Sequence, residues 1–124
     1  MFKKIYLSLL LVGFALTSSG CVAFLAGAGG TVLWQGGKVI SEENTTMERA
    51  VIATKEAFKA KKITLTDQTI RDTVTQIRGD DSSQTKIAVD VFVTGAKSCR
   101  IEVRVGLGEE KAGRELLSQI KKRL

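Results

Sequence analysis

Three groups of side chains in this 124-residue sequence are candidates for chemistry. The first is the cysteine pair, Cys21 and Cys99, whose thiols can be acylated, oxidised or buried as small hydrophobes. The second is Arg104-Val105-Gly106-Leu107-Gly108, where a guanidinium beside a glycine-framed helix start can receive an anion. The same residues also read as a strand arginine in a surface charge lattice, followed by a glycine turn. The third is Asp80-Asp81 within the loop-like run Gly79-Asp80-Asp81-Ser82-Ser83. Two acids hold a cation only weakly, and a calcium loop needs more ligands at fixed spacing, so a solvated turn is the simpler reading. What is missing narrows the field further. There is no His, which excludes Ser-His and Cys-His catalysis and imidazole metal sites. Two cysteines cannot build a four-thiolate zinc site or an iron–sulfur cluster in one chain. Ser, Lys and carboxylates occur without nucleophile–base spacing. The expectation is therefore a non-enzymatic protein with no catalytic residue, cofactor or metal.

Cys21 stands at the end of a recognisable leader. Lys3 and Lys4 open it, the apolar run Ile5 to Leu16 follows, and Thr17-Ser18-Ser19-Gly20 supplies small residues. That is the pattern of a secretory signal. The apolar run is short for a bilayer span, which needs about 20 residues. The cysteine directly after Ser19-Gly20 resembles the lipobox of bacterial lipoproteins, with Ser18 where Leu is commonest. The resemblance implies that the Cys21 thiol receives a diacylglycerol, that the peptide is cut before it, and that the new amino terminus is acylated. Several acyl chains hold a protein on a bilayer far longer than one. Val22, where an Asp would signal inner-membrane retention, implies the periplasmic face of the outer membrane. Without the resemblance, the same residues also suit a secreted protein with an incidental cysteine, or a retained membrane anchor. Losing the two leader lysines lowers the net charge from +6 to +4, which suits a protein held beside an anionic surface. The basic residues are dispersed without aromatic stacking motifs, so no nucleic-acid partner is expected.

The elements that position these residues follow from periodicity. We expect a signal peptide over 1–20, a Gly-rich tether over 21–30 and one domain over 31–124. Val22 to Gly37 carries glycines at 27, 29, 30, 36 and 37. It reads as a flexible spacer entering an edge strand near Thr31 to Gln35, or as a small-residue segment packing on the membrane. A phosphate-cradling loop fits poorly, because the run lacks the third glycine of G-x-G-x-x-G and no strand precedes it. Trp34 suits either an interfacial anchor or a half-buried position.

Thr45 to about Lys61 predicts a helix, with Thr45 and Glu48 as a capping box and Met47, Ala50, Val51, Thr54, Ala57 and Phe58 as its inner stripe. Ile63 and Leu65 mark one strand, and Thr69 to Arg78 another. Ile87, Val89, Val91 and Val93 alternate, as do Cys99, Ile101, Val103 and Val105. Both faces match only when paired residue numbers sum to an even value, so Val93 should face Cys99 and Asp90 should face Glu102. Arg100 and Arg104 then flank Asp90 diagonally. Cys99 reads as a buried thiol, with an intermolecular disulfide or a reactive thiol as the alternative. Glu109 to Lys122 predicts the last helix, with Gly113, Leu116, Leu117, Ile120 and Leu124 inward. The fold class is α+β: a two-layer sandwich, an antiparallel sheet of four to five strands with two helices on one face, in the order β-α-β-β-β-β-α.

Ile101-Glu-Val-Arg-Val-Gly-Leu-Gly-Glu109 is similar to the closing I-x-I-R-V-G-x-x-G-D signature of a family of small bacterial lipoproteins of unknown function. Cys21, the glycine-rich stretch and Trp34-x-Gly also fit that family. The glycines around Leu107 stand one residue closer together here, and Glu109 replaces the usual Asp, which bears on the capping of the last helix. The resemblance implies an envelope lipoprotein and supplies no activity. Two functions are expected to compete: a lipid-anchored accessory that presents a small domain to an envelope protein, and a periplasmic carrier of a small apolar or anionic ligand.

Overall fold

The computed structural model describes residues 32–124. The expected signal peptide over 1–20 and tether over 21–30, with Cys21, lie outside the described residues, as does Thr31. Two helices and six strands follow in chain order: β1 (Val32–Gln35), β2 (Lys38–Glu43), α1 (Met47–Ala60), β3 (Thr64–Ile70), β4 (Val74–Asp80), β5 (Lys86–Gly95), β6 (Ser98–Val105) and α2 (Glu110–Lys121). The strands form one open antiparallel sheet in the order β1-β2-β6-β5-β4-β3. The α+β class holds. There are six strands where four to five were expected, and the described order is β-β-α-β-β-β-β-α.

The long hairpin β5–β6 sits in the middle of the sheet. Its register pairs Val93 with Cys99, Val91 with Ile101, Asp90 with Glu102 and Val89 with Val103, as the alternation requires. Only the tip departs from the even-sum rule: Gly95 pairs with Ser98 across a two-residue Ala96-Lys97 turn, and Thr94 is bulged out of the ladder. Ile87, Val89, Val91, Cys99, Ile101, Val103 and Val105 are all buried. Val93 is the exception at 42% exposed. It lies at the hairpin tip, so its apolar parity does not bury it.

Both helices lie on that odd-numbered face. The chain leaves β2 beside β6 and must re-enter at the opposite edge, β3, so α1 crosses the sheet. Thr46, not Thr45, caps α1, and its hydroxyl accepts from the Arg49 amide at 3.2 Å. The cap therefore falls one residue later than the capping box predicts, and Arg49 takes the position where a Glu would reach back. Met47, Ala50, Thr54, Ala57 and Phe58 are buried as expected; Ala53 joins them, and Val51 is only half-buried. The helix ends with Lys62 at φ 57° and the Ile63 amide donating to the Phe58 carbonyl at 2.8 Å. That left-handed cap brings Ile63 and Phe58 together over Gly79. A Cβ on Gly79 would lie 2.8 Å from Ile63 Cγ2 and 2.9 Å from Phe58 Cε2. Gly79 thus belongs to β4 as a packing notch, and the expected loop begins only after Asp80. α2 repeats the device: a Cβ on Gly113 would lie 2.9 Å from Val39 Cγ2. Leu116, Leu117 and Ile120 complete its buried stripe, and Leu124 packs at the margin.

Two strand expectations need correction. Lys38–Glu43 is a strand the alternation did not mark, because its inward positions are Val39, a buried Ser41 and Glu43. The expected strand from Thr69 to Arg78 is interrupted: β3 and β4 form a hairpin whose turn, Arg71-Asp72-Thr73, closes with the Arg71 amide donating to the Val74 carbonyl at 2.9 Å. No Gly, Pro or Asn marks that turn.

The packing sets a stability order. Phe58→Ala and Leu117→Ala should each cost about 2–5 kcal/mol, as truncations in close-packed cores do. Gly79→Ala should cost about 1–3 kcal/mol by forcing Phe58 and Ile63 aside. Lys55→Ala and Arg104→Ala, on exposed side chains, should change stability by less than about 1 kcal/mol. Urea unfolding of the five variants checks the order. Loss of the fold in Arg104→Ala with a wild-type midpoint in Phe58→Ala would reverse the assigned faces.

Candidate functional site

Cys21 lies outside the described residues, so the structure places the remaining candidates only. Arg104 is exposed, and its Nη2 donates to the Gly36 carbonyl at 2.9 Å. Gly36 and Gly37 have φ values of 60° and 78° and make the two-residue turn of the β1–β2 hairpin. That turn packs on the one after β6: a Cβ on Gly108 would lie 2.9 Å from Gly37 Cα. Gly108 therefore serves backbone-to-backbone approach, Gly106 at φ 60° turns the chain, and Arg104 ties the two turns together. Glu109 occupies the N-cap position of α2 and makes no side-chain capping bond. Glu110 follows in the first turn, so two acids crowd the helix start where an anion would sit. The run is a structural clamp.

The outer sheet face carries a charge lattice, with partners other than those expected. Arg78 Nη1 pairs with Asp90 at 2.7 Å, while Lys38 and Arg100 pair with Glu102 at 3.4 and 3.1 Å. Arg100 also lies 4.6 Å from the centre of the Phe92 ring, a cation–π contact. Neither Arg100 nor Arg104 serves Asp90, because Arg78 on the flanking β4 pairs with it, while Arg100 turns to Glu102 on its own strand and Arg104 to the Gly36 carbonyl. The loop acids separate as well. Asp80 belongs to β4 and pairs with Lys86 at 3.0 Å. Asp81 Oδ1 accepts from the Ser83 and Thr85 amides at 2.8 and 2.9 Å, which makes it a turn former.

Sequence reasoning did not find two grooves at opposite rims. Ile52, Lys55, Glu56, Phe58, Lys59, Ile63 and Leu65 line one of about 470 Å³ between α1 and β3. Ile52 and Leu65 are 48% and 44% exposed there. Ile52 falls off the inner stripe of α1 and Leu65 lies on an edge strand, so neither announces a shared surface in sequence. The second groove, of about 510 Å³, lies between β1 and α2 and is lined by Val32, Arg114, Leu117, Ser118, Lys121 and Lys122. Among the described residues no helix is long and apolar enough to cross a membrane.

Cys99 is fully buried on β6, opposite Glu43 of β2 and Val93 of β5. Burial, with Glu43 and then Glu42 adding negative charge, pushes its thiol from 9.0 up to about 11. The geometry opposes the disulfide and reactive-thiol alternatives. Native protein should resist thiol reagents at neutral pH and react once denatured, and Cys99→Ala should cost about 1–2 kcal/mol. The raised value also sets a pH dependence. The folded state holds the proton that the unfolded state releases first, so stability should fall as pH rises from about 9 through about 11. Urea unfolding across that range, on wild type and Cys99→Ala, checks it, since only the wild type carries this contribution. Rapid native labelling at neutral pH would place the thiol on the surface.

No curated protein matches the chain. Residues 4–123 match the model of a family described as a protein of unknown function (DUF3568). That match takes in every described residue but Leu124, and the chain belongs to the DUF3568 family.

Proposed function

We propose that this protein is a lipid-anchored lipoprotein of the bacterial cell envelope, acylated at Cys21, whose domain is a non-enzymatic accessory that meets an envelope partner. One observation carries the anchor: Cys21 follows Ser19-Gly20 at the end of a basic-then-apolar leader. The accessory role is supported by how the interior is used. Eighteen apolar side chains from the helices, the strands and the α1–β3 link fill a single core cluster, and two exposed apolar side chains, Ile52 and Leu65, share the α1–β3 groove with Phe58 and Ile63. A contiguous exposed apolar patch is a feature of interaction sites. The carrier remains the second reading because the α1–β3 groove, at about 470 Å³, has the volume of a small-ligand site.

Metabolic labelling with a fatty-acid analogue should mark the wild type, and Cys21→Ser should abolish the label and release the protein from membranes. A labelled Cys21→Ser variant, or an unlabelled wild type, would end the lipoprotein reading. Native mass spectrometry of protein purified from envelopes separates the two roles. A stoichiometric small apolar ligand that Leu65→Lys expels identifies the carrier, and ligand-free protein supports the accessory.

A further inference from the structure

We infer that the α2–β1 rim is a membrane-docking face, which lies on the anionic phosphate headgroups of the bilayer that holds the chain. The inference rests on the lipoprotein reading for where the bilayer is, and on the structure for which face meets it. The groove at this rim is lined by Arg114, Lys121 and Lys122 over an apolar floor of Val32 and Leu117, with no acid among its lining residues. Lys111, Arg114, Ser118 and Lys121 recur at three- and four-residue steps, which aligns them on one side of α2, away from the buried Gly113, Leu116, Leu117 and Ile120. Two of these cations have acidic neighbours: Glu110 lies 3.0 Å from Arg114, and Glu43 lies 3.5 Å from Lys121. Lys111 and Lys122 have no ion pair among the described residues.

An aromatic side chain completes the surface. Val32 and Trp34 pair with Ser41 and Val39, so both point to the helix side of the sheet, and Trp34 is 36% exposed. Tryptophan beside lysines and arginines over an apolar floor is the composition of interfacial surfaces. Position in the chain favours a bilayer over an acidic protein as the occupant. Val32 follows Cys21 by eleven residues and opens the edge strand at this rim. The apolar α1–β3 groove lies at the far edge, five strand spacings of about 4.8 Å away, and so faces a partner while the α2–β1 rim faces the lipid.

Trp34 is the single tryptophan, so its fluorescence reports on this face alone. The chain from residue 21 is used with Cys21→Ser, so that no acyl group contributes to binding. Vesicles of phosphatidylglycerol should shift Trp34 emission to the blue, brominated phosphatidylglycerol should quench it, and phosphatidylcholine should do neither. Each cation near an anionic surface contributes about fivefold in affinity. Arg114→Glu with Lys121→Glu and Lys122→Glu should therefore weaken binding at least about a hundredfold, and Lys111→Glu with Lys122→Glu, which removes no salt bridge, at least about twentyfold. Lys55→Glu with Lys59→Glu, on the far rim, should change it less than about threefold. Circular dichroism confirms that each variant is folded, and the lysine pair at 111 and 122 decides the matter if the triple variant is not. Equal loss in the far-rim variant would show net charge acting without a face, and would overturn the assignment. So would an unshifted Trp34 on phosphatidylglycerol, or binding to polyglutamate with none to vesicles. None of these results touches the lipoprotein reading, which acyl labelling decides separately.

Discussion

Strands β5 and β6 pair so that Val91 meets Ile101, and this one register constrains the domain. A shift by a single residue would send Ile87, Val89, Val91, Cys99, Ile101, Val103 and Val105 to the opposite face together. The parity spreads through the flanking ladders: Val39 meets Val103, and Thr75 meets Val91. Every buried strand residue in the sheet is consequently odd-numbered. One apolar face follows, and so both helices must lie on it. The other face is left to ion pairs, which tolerate water.

A one-sided sheet leaves few places for function. Its interior is filled, down to notches at Gly79 and Gly113 where even a methyl group would collide. Its outer face satisfies its own charges, as in the Arg78–Asp90 and Lys38–Glu102 pairs. The rims remain, where a helix edge overhangs an edge strand. One rim is apolar and the other basic, and the two differ in which element overhangs: α1 above β3, and α2 above β1. Lys61 and Glu115, 2.7 Å apart, join the helices across the gap between them. The Lys61 hydrogen bond and charge hold the Glu115 carboxyl below its usual range. That exposed pair is a minor contribution beside the shared core.

Periodicity revealed what packing governs. Strict alternation in β5 and β6 and the three- and four-residue steps of α1 and α2 were legible because each side chain there is in or out by geometry alone. β2 was not, because Ser41 is buried beside Glu43, whose carboxylate accepts its hydroxyl at 2.7 Å, and no apolar alternation marks such a strand. Gly36-Gly37 between Val32–Gln35 and Lys38–Glu43 is the one signal that would have disclosed the hairpin, since two consecutive glycines suit a two-residue turn. The site candidates divide in the same way. Cys99 was legible from its parity. Arg104 was not, because its partner, the Gly36 carbonyl, is 68 residues away and depends on the unseen β2. The rims were illegible for a related reason: Ile52 and Leu65, or Val32 and Lys121, meet only after the helices have crossed the sheet.

The central claim is that the β5–β6 pairing organises the domain and that stability declines from it toward the two edges. Native-state hydrogen exchange followed by nuclear magnetic resonance tests this most directly. Paired amides of Ile87 to Val91 and Ile101 to Val105 should exchange only through global unfolding, matching the free energy from urea. Those of β1 and β3 should exchange faster, through local opening of the edges. Global protection of β3 or β1 equal to that of β5, or rapid local exchange at Val89 and Val103, would contradict the account.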